Sequence, residues 1–341
     1  MVKKHGSRAK DYTAAELVAK AESLVDQCQP ELAVKFYEKA LLKEPNNTLL
    51  LDTIGELSTE LDDPERALAV FQKSIQLAPA QNPSKWLYLA QLVGGEDAEK
   101  YTTQGITFLQ QELQGVAADS QEAQVIKKQI CDAYCSLGEL YMTDLCDEDD
   151  AEARCENYFQ SALQFDIGTP EPTQALANLR LTQQRRDEAV PLLEETYRRL
   201  AENCDENSTP SLEFRIFTGK LLIEVEKYEE ACDVLEGVMQ EDDENAELWF
   251  LVGTCYRAMD DLSLSLEFFQ KCEEMLQKLK KELRDEFHLD AQLESVTETI
   301  AELQQTIASR PDDEDDDEDD GEEENEEAST APGTEDVEME E

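Results

Sequence analysis

The sequence predicts an all-α solenoid of about seven stacked helical hairpins, closed by a C-terminal capping helix and followed by a disordered acidic tail. Three observations predict it. Ala33, Tyr37, Ala40 and Pro45 recur 34 residues later as Ala67, Phe71, Ser74 and Pro79. The same spacing returns far downstream, where Gly219, Ala231 and Leu235 are matched 34 residues on by Gly253, Ser265 and Phe269. Apolar residues are plentiful up to about Ile307 and scarce beyond it. A period in the thirties marks a helical repeat array. Small residues let paired helices approach, a large side chain fills the gap beside them, and proline ends the pair. One hairpin cannot bury its own apolar face, so it needs neighbours.

Taken in order, Thr13-Ala14-Ala15-Glu16 is a capping box that opens the first helix. Leu17, Ala21, Leu24 and Val25 give that helix an apolar stripe. Gln29-Pro30-Glu31 restarts a helix with proline at its first position, and Ala33, Phe36, Tyr37, Ala40 and Leu41 line its inner face. Pro45-Asn46-Asn47 ends the pair. The second pair carries Leu51, Ile54 and Gly55, turns at Asp62-Asp63-Pro64-Glu65, and closes with Ala67 to Leu77. The third is degenerate: Trp86, Leu89 and Ala90 start it, Gly94-Gly95 shorten its first helix, and Tyr101 to Leu113 complete it. A polar connector, Gly115 to Ala123, follows.

The fourth pair has Tyr134, Leu137, Gly138 and Tyr141, an expanded acidic turn from Asp144 to Asp150, then Cys155, Phe159 and Ala162. The fifth runs from Pro172 to Arg199 around Ala177, Leu181, Ala189 and Leu193, before a loop from Asn203 to Pro210. The sixth and seventh repeat the opening register. From Lys271 to Ser309 a long charged helix or a broken pair caps the array, with a break expected between Phe287 and Leu289. The domains are therefore a basic disordered start (1–12), the repeat domain with its cap (13–309) and the tail (310–341).

Thirty basic residues against eighty acidic ones give a net charge of −50. Nineteen of the acidic residues lie between Pro311 and Glu341, where there is no Lys or Arg, so residues 1–310 still carry 31 net negative charges. Phosphate binding needs a basic surface, which argues against direct contact with nucleic acid or an anionic membrane. The favoured partner is cationic. The nine cysteines, odd in number and scattered without a signal peptide, read as reduced thiols. Cys131 and Cys135 sit four apart without a second pair or histidine at metal-ligand spacing. Core packing is favoured for the cysteines over metal or redox chemistry. The sequons at Asn46 and Asn207 are discounted for want of a secretory route. The histidines are His5 and His288 only, and no phosphate loop, nucleophile elbow or metal box is present. No enzymatic activity and no cofactor are expected. The tail lacks the spaced ligands of a calcium loop; it reads equally as a mimic of nucleic acid and as a solubilising appendage.

Trp249, Val252, Gly253 and Tyr256 in a first helix, with Ala33, Tyr37, Ala40 and Pro45 around a second, resemble the tetratricopeptide repeat. Roughly seven such units cover residues 14–280; units two, four and seven match best, three and five least. The whole pattern goes further. A start of Met1-Val2-Lys3-Lys4, about seven repeats, an acidic body and a fully acidic tail resemble the family of dedicated assembly chaperones of large-subunit ribosomal protein four. That resemblance implies a superhelix gripping a long, basic, disordered loop of the ribosomal protein. It also implies escort of the client from synthesis to the nucleus, release to the pre-ribosome, and a location in nucleus and cytoplasm. The basic segment Lys3 to Lys10 reads either as an aid to nuclear import, with import factors as further partners, or as a plain disordered end. A histone-type acidic chaperone, a scaffold subunit and, last, an enzyme subunit remain as alternatives.

The repeat's usual inward offsets, transferred to this sequence, give Glu22 and Asp26 in unit one and Asp52, Glu56 and Glu60 in unit two. Unit four adds Asp132, Glu139 and Met142, and unit five Glu171 and Asn178. Unit six adds Glu213 and Glu224, and unit seven Glu247 and Phe250. Leu87, Ile216, Ile223 and Phe250 are apolar footholds. The resemblance thus implies an anionic groove. In so acidic a chain, any single carboxylate also has a plain reading as a solvated helix face; the set is the stronger observation. A clamp for acidic chaperone tails, another use of these repeats, needs basic residues where Val18, Glu22, Asp52 and Glu56 stand, and Lys220 is isolated.

Overall fold

Each hairpin is opened and turned by chemistry local to it. At the start, Glu16 N–H donates to Thr13 Oγ1 at 3.2 Å and Thr13 N–H donates to Glu16 Oε2 at 2.9 Å, completing the capping box. This computed structural model describes residues 12–202, 209–284 and 287–310. The expected disorder of the basic start and of the acidic tail falls outside the described residues.

Among the described residues there are fifteen helices. The hairpins are α1 (Ala14–Val25) with α2 (Pro30–Lys43), α3 (Thr48–Glu60) with α4 (Pro64–Leu77), and α5 (Ser84–Leu92) with α6 (Gly95–Leu113). Next come α7 (Gln121–Met142) with α8 (Ala151–Gln164), and α9 (Glu171–Thr182) with α10 (Arg186–Glu202). Then follow α11 (Leu212–Glu224) with α12 (Tyr228–Met239), α13 (Ala246–Ala258) with α14 (Leu262–Leu283), and the cap α15 (Asp290–Ser309). Each helix packs on its sequence neighbour through most of the chain.

Five hairpins share one turn. Cys28, Asp62, Gln184, Glu226 and Asp260, each two residues before a second helix, all take positive φ between 54° and 69°. The next residue then donates back across the turn, as Gln29 N–H does to Leu24 O and Lys227 N–H to Leu222 O, both at 2.9 Å. This is the left-handed helix ending that usually selects glycine, made here without one. The repeat signature residues are buried: Ala33, Ala40, Ala67, Phe71 and Ser74 are fully enclosed, and Tyr37 nearly so. Six of the eight described cysteines are buried as well. Burial pushes Cys155 up to about 12 and Cys272 up to about 11, so both are protonated thiols that pack as small apolar groups.

Three expectations are corrected. The second helix of the third hairpin begins at Gly95, not Tyr101: Gly95 takes φ +56°, which reverses the chain directly after α5, and Glu96 and Asp97 suit the new helix start. The polar connector is shorter than expected, because Ser120 caps α7 at Gln121 and Ala123 is already buried in it. Val25 leaves the α1 stripe and is 39% exposed. The break expected between Phe287 and Leu289 is present: α14 ends at Leu283, with φ +49° at Arg284, and residues 287–289 lie outside both helices before α15 starts at Asp290. Val296, Ile300 and Leu303 of α15 then cover Phe269, Cys272 and Leu276 of α14.

Candidate binding groove

In the repeat's usual geometry the first helices form the inner layer; here α3 packs directly on α5, α7 on α9, and α11 on α13. The residues at the inward offsets on these helices are mostly acidic, and several are already engaged inside the molecule.

On α1, Glu22 and Asp26 are exposed. With burial, their charges raise the pKa of Tyr37 on α2, so the three face one another. On α3, Asp52, Glu56 and Glu60 recur every four residues along one helix face. Burial and then the Asp52 charge lift the Glu56 carboxyl above the usual range, against an Asn82 hydrogen bond. The Tyr88 phenol, on α5, is raised by burial and by Glu56 and Glu60.

Asp52 itself is a correction. It is only 2% exposed, so it is no open groove carboxylate. Asn82 Nδ2 donates to its Oδ2 at 3.1 Å, while Oδ1 is buried without a partner. Close enough to feel its charge is Lys85, a fully buried lysine that inward offsets did not single out. Lys85 Nζ donates to Ala78 O at 2.6 Å and Ser74 Oγ at 3.1 Å, closing the C-terminus of α4. Burial lowers its pKa and the Asp52 charge opposes that, which keeps a counter-charge beside a desolvated ammonium.

Further along, Lys128 gathers two of the expected groove acids. Its Nζ lies 2.8 Å from Asp132 Oδ2 and 3.8 Å from Glu171 Oε1. Glu171 opens α9, and its Oε2 is buried without a partner. Asp132 remains raised, because burial outweighs Lys128. Lys220, the lone basic residue at the inward offsets, is paired with an acid: its Nζ lies 2.7 Å from Glu247 Oε1, linking α11 to α13. Glu60, Glu213 and Glu224 are exposed, and Asn178 is half-buried on α9.

The apolar footholds sit partly in the core. Ile216 and Ile223 pack on the cluster around Leu222 and Val252, Met142 on that around Phe159 and Leu176, and Phe250 on that around Phe269. Leu87 and Glu139 meet in a cleft between α5 and α7. Burial alone raises the Glu139 carboxyl. Inward offsets missed Lys85, Lys128 and Asn82. Nothing in the sequence marks Lys85 or Asn82 as groove neighbours; only the i,i+4 spacing of Lys128 and Asp132 was a usable signal.

Residues 246–275 match the tetratricopeptide repeat. A Schizosaccharomyces pombe protein named "Probable assembly chaperone of rpl4" is 36% identical over 253 residues, which cover 72% of this chain and 74% of that protein. An Emericella nidulans protein of the same name is 28% identical over 263 residues, covering 72% of this chain and 65% of its own length. Among solved structures, the Assembly Chaperone of RpL4 (Acl4), residues 1–338, matches with a TM-score of 0.65 at 28% identity, over 73% of this chain and 98% of that one. With a shared solenoid and a relative this similar across most of both chains, the chain belongs to the family of assembly chaperones of rpl4.

Proposed function

We propose that this protein is a dedicated chaperone that acts by binding, without catalysis, on a basic and disordered extension of large-subunit ribosomal protein four. The reading is supported by the row of carboxylates that the first helices α1, α3, α7, α9, α11 and α13 carry at the repeat's inward offsets, and by relatives named for that client. A Lys- and Arg-rich segment laid along this row has its own charges paired and its backbone shielded. Each exposed pair contributes little, because charges are screened over about 8 Å at physiological salt. A row of them adds up and speeds encounter. Desolvation raises the Glu56, Asp132 and Glu139 carboxyls, and a cation laid beside any of them favours its ionised form.

The same reading places the protein in both cytoplasm and nucleus, escorting its client to the pre-ribosome, with import factors as transient partners. Affinity capture at low and moderate salt tests it. The expected result is large-subunit ribosomal protein four at one-to-one stoichiometry, lost when Glu56 and Glu60 are both reversed to Lys. Core histones as the stoichiometric partner would overturn it in favour of a histone-type chaperone.

A further inference from the structure

The third hairpin leaves a gap in the inner layer. α5 has nine residues, whereas α3, α11 and α13 each have thirteen. The chain turns back at Gly94-Gly95, so the last turn that the other first helices possess is missing here. What that turn would cover on α7 stays open as a cleft of about 370 Å³. Leu87, Ala90 and Leu140 give it an apolar wall, and Ser136 and Glu139 bring polar atoms to it. The turn that forms the gap is fixed: Gly95 N–H donates to Asp144 Oδ2 at 3.2 Å, so the acidic turn after α7 pins the start of α6.

Glu139 is the chemical feature of the cleft. No lysine or arginine lies within ion-pair distance of it among the described residues, unlike Asp132, Glu171 and Glu247 on the same side. Its side chain is exposed at the cleft, and partial desolvation there raises its carboxyl. A carboxylate beside an apolar wall and lacking a cation complements a side chain with an apolar stem and a cationic head. Arginine suits the place better than lysine. Its guanidinium is planar and weakly hydrated and stays charged when desolvated, whereas an ammonium is strongly hydrated and readily shifts its pKa.

We propose that this cleft is a socket for one arginine of the client's basic segment. The stem lies on Leu87, Ala90 and Leu140, and the guanidinium is held by the Glu139 carboxylate. The inference rests on the chaperone reading and deepens it: the groove reads its client at one position by shape as well as by charge.

Titration calorimetry of the full chain with purified large-subunit ribosomal protein four tests this, using Glu139→Gln to remove the charge and Ser136→Trp to fill the cleft from an exposed position. Helical circular dichroism reports that each variant is folded. Each should weaken binding about tenfold, the loss of roughly 1.4 kcal/mol. Replacing the client's arginines by lysine one at a time should reveal a single position that weakens binding to the wild-type chain and not to Glu139→Gln, which is the signature of a direct pair. Wild-type affinity in both cleft variants, or no arginine coupled to Glu139, overturns the socket and leaves the chaperone reading standing. Failure of the wild-type chain to bind the ribosomal protein overturns both.

Discussion

A Cβ added to Gly55 on α3 would lie 2.5 Å from Cζ of Phe71 on α4, inside the ring's own van der Waals envelope. Gly138 meets Phe159 and Gly219 meets Leu235 in the same way. The repeat's glycine and its large partner are therefore one unit: the ring occupies the space a side chain would take. Phe71 cannot swing aside, because it is fully buried and stacked on Tyr88 with ring centres 5.5 Å apart.

Gly55→Ala should therefore destabilise the fold by up to about 2 kcal/mol, the difference between an overpacking cost of about 1–3 kcal/mol and a helix-propensity gain of about 1 kcal/mol. Gly253→Ala is the control. Its Cβ would stand 3.2 Å from the Phe269 ring, so urea midpoints should barely move.

Gln184 sits in the left-handed turn between α9 and α10 at φ +60° and is exposed. Left-handed backbone costs a residue with a Cβ about 1 kcal/mol. Gln184→Gly should raise stability by about 0.5–1 kcal/mol in equilibrium unfolding, and Gln184→Val should lower it.

Lys85 should behave as part of a pair. Lys85→Met strands the Ser74 and Ala78 acceptors and leaves Asp52 beside no cation, a loss of about 2–3 kcal/mol. Adding Asp52→Asn should recover part of that loss. Strict additivity of the two changes in denaturation midpoints would show that the residues do not interact.

Lys220 pairs with Glu247 and, on the proposed reading, competes there with the client. Lys220→Ala should tighten binding of a basic client about two- to threefold, the scale of one exposed ion pair. The salt dependence should steepen as well. Affinity unchanged at low salt would place the client away from α11 and α13.

Glu139 also sets a pH dependence. Its folded pKa is raised by burial, so the folded chain holds more protons than the unfolded one between the two pKa values. Stability from this group is greatest below that window and falls as pH rises through it. Because Glu139 is exposed, the slope is shallow, and Glu139→Gln, neutral throughout, should remove it from a plot of melting temperature against pH. The same change should weaken client binding, because it removes the charge that the proposed socket offers.

Much of the fold was legible because its signals are short-range. The Thr13–Glu16 cap, the prolines at Pro30 and Pro64, and the spacing of Gly55 and Phe71 each act within one hairpin, so a single pass along the chain finds them. The third hairpin was the exception: glycine is compatible with both a loop and an abrupt helix start, and φ at Gly95 decided which. For the proposed groove, helical offsets alone supplied the candidate acids, Glu139 among them. The state of each acid was not legible. Asp52 is buried beside Asn82 and Lys85, Asp132 and Glu171 share Lys128, and Glu247 holds Lys220.

By itself the sequence determined a stack of hairpins, its cap and its strongly negative charge, because helix periodicity, capping and net charge are properties of neighbouring residues or of their sum. The tertiary structure alone decided which carboxylates remain free for a partner and where the inner layer opens. Those depend on what a helix some thirty or more residues away brings alongside, as Asn82 is brought to Asp52, and burial and pairing energies change steeply with that distance.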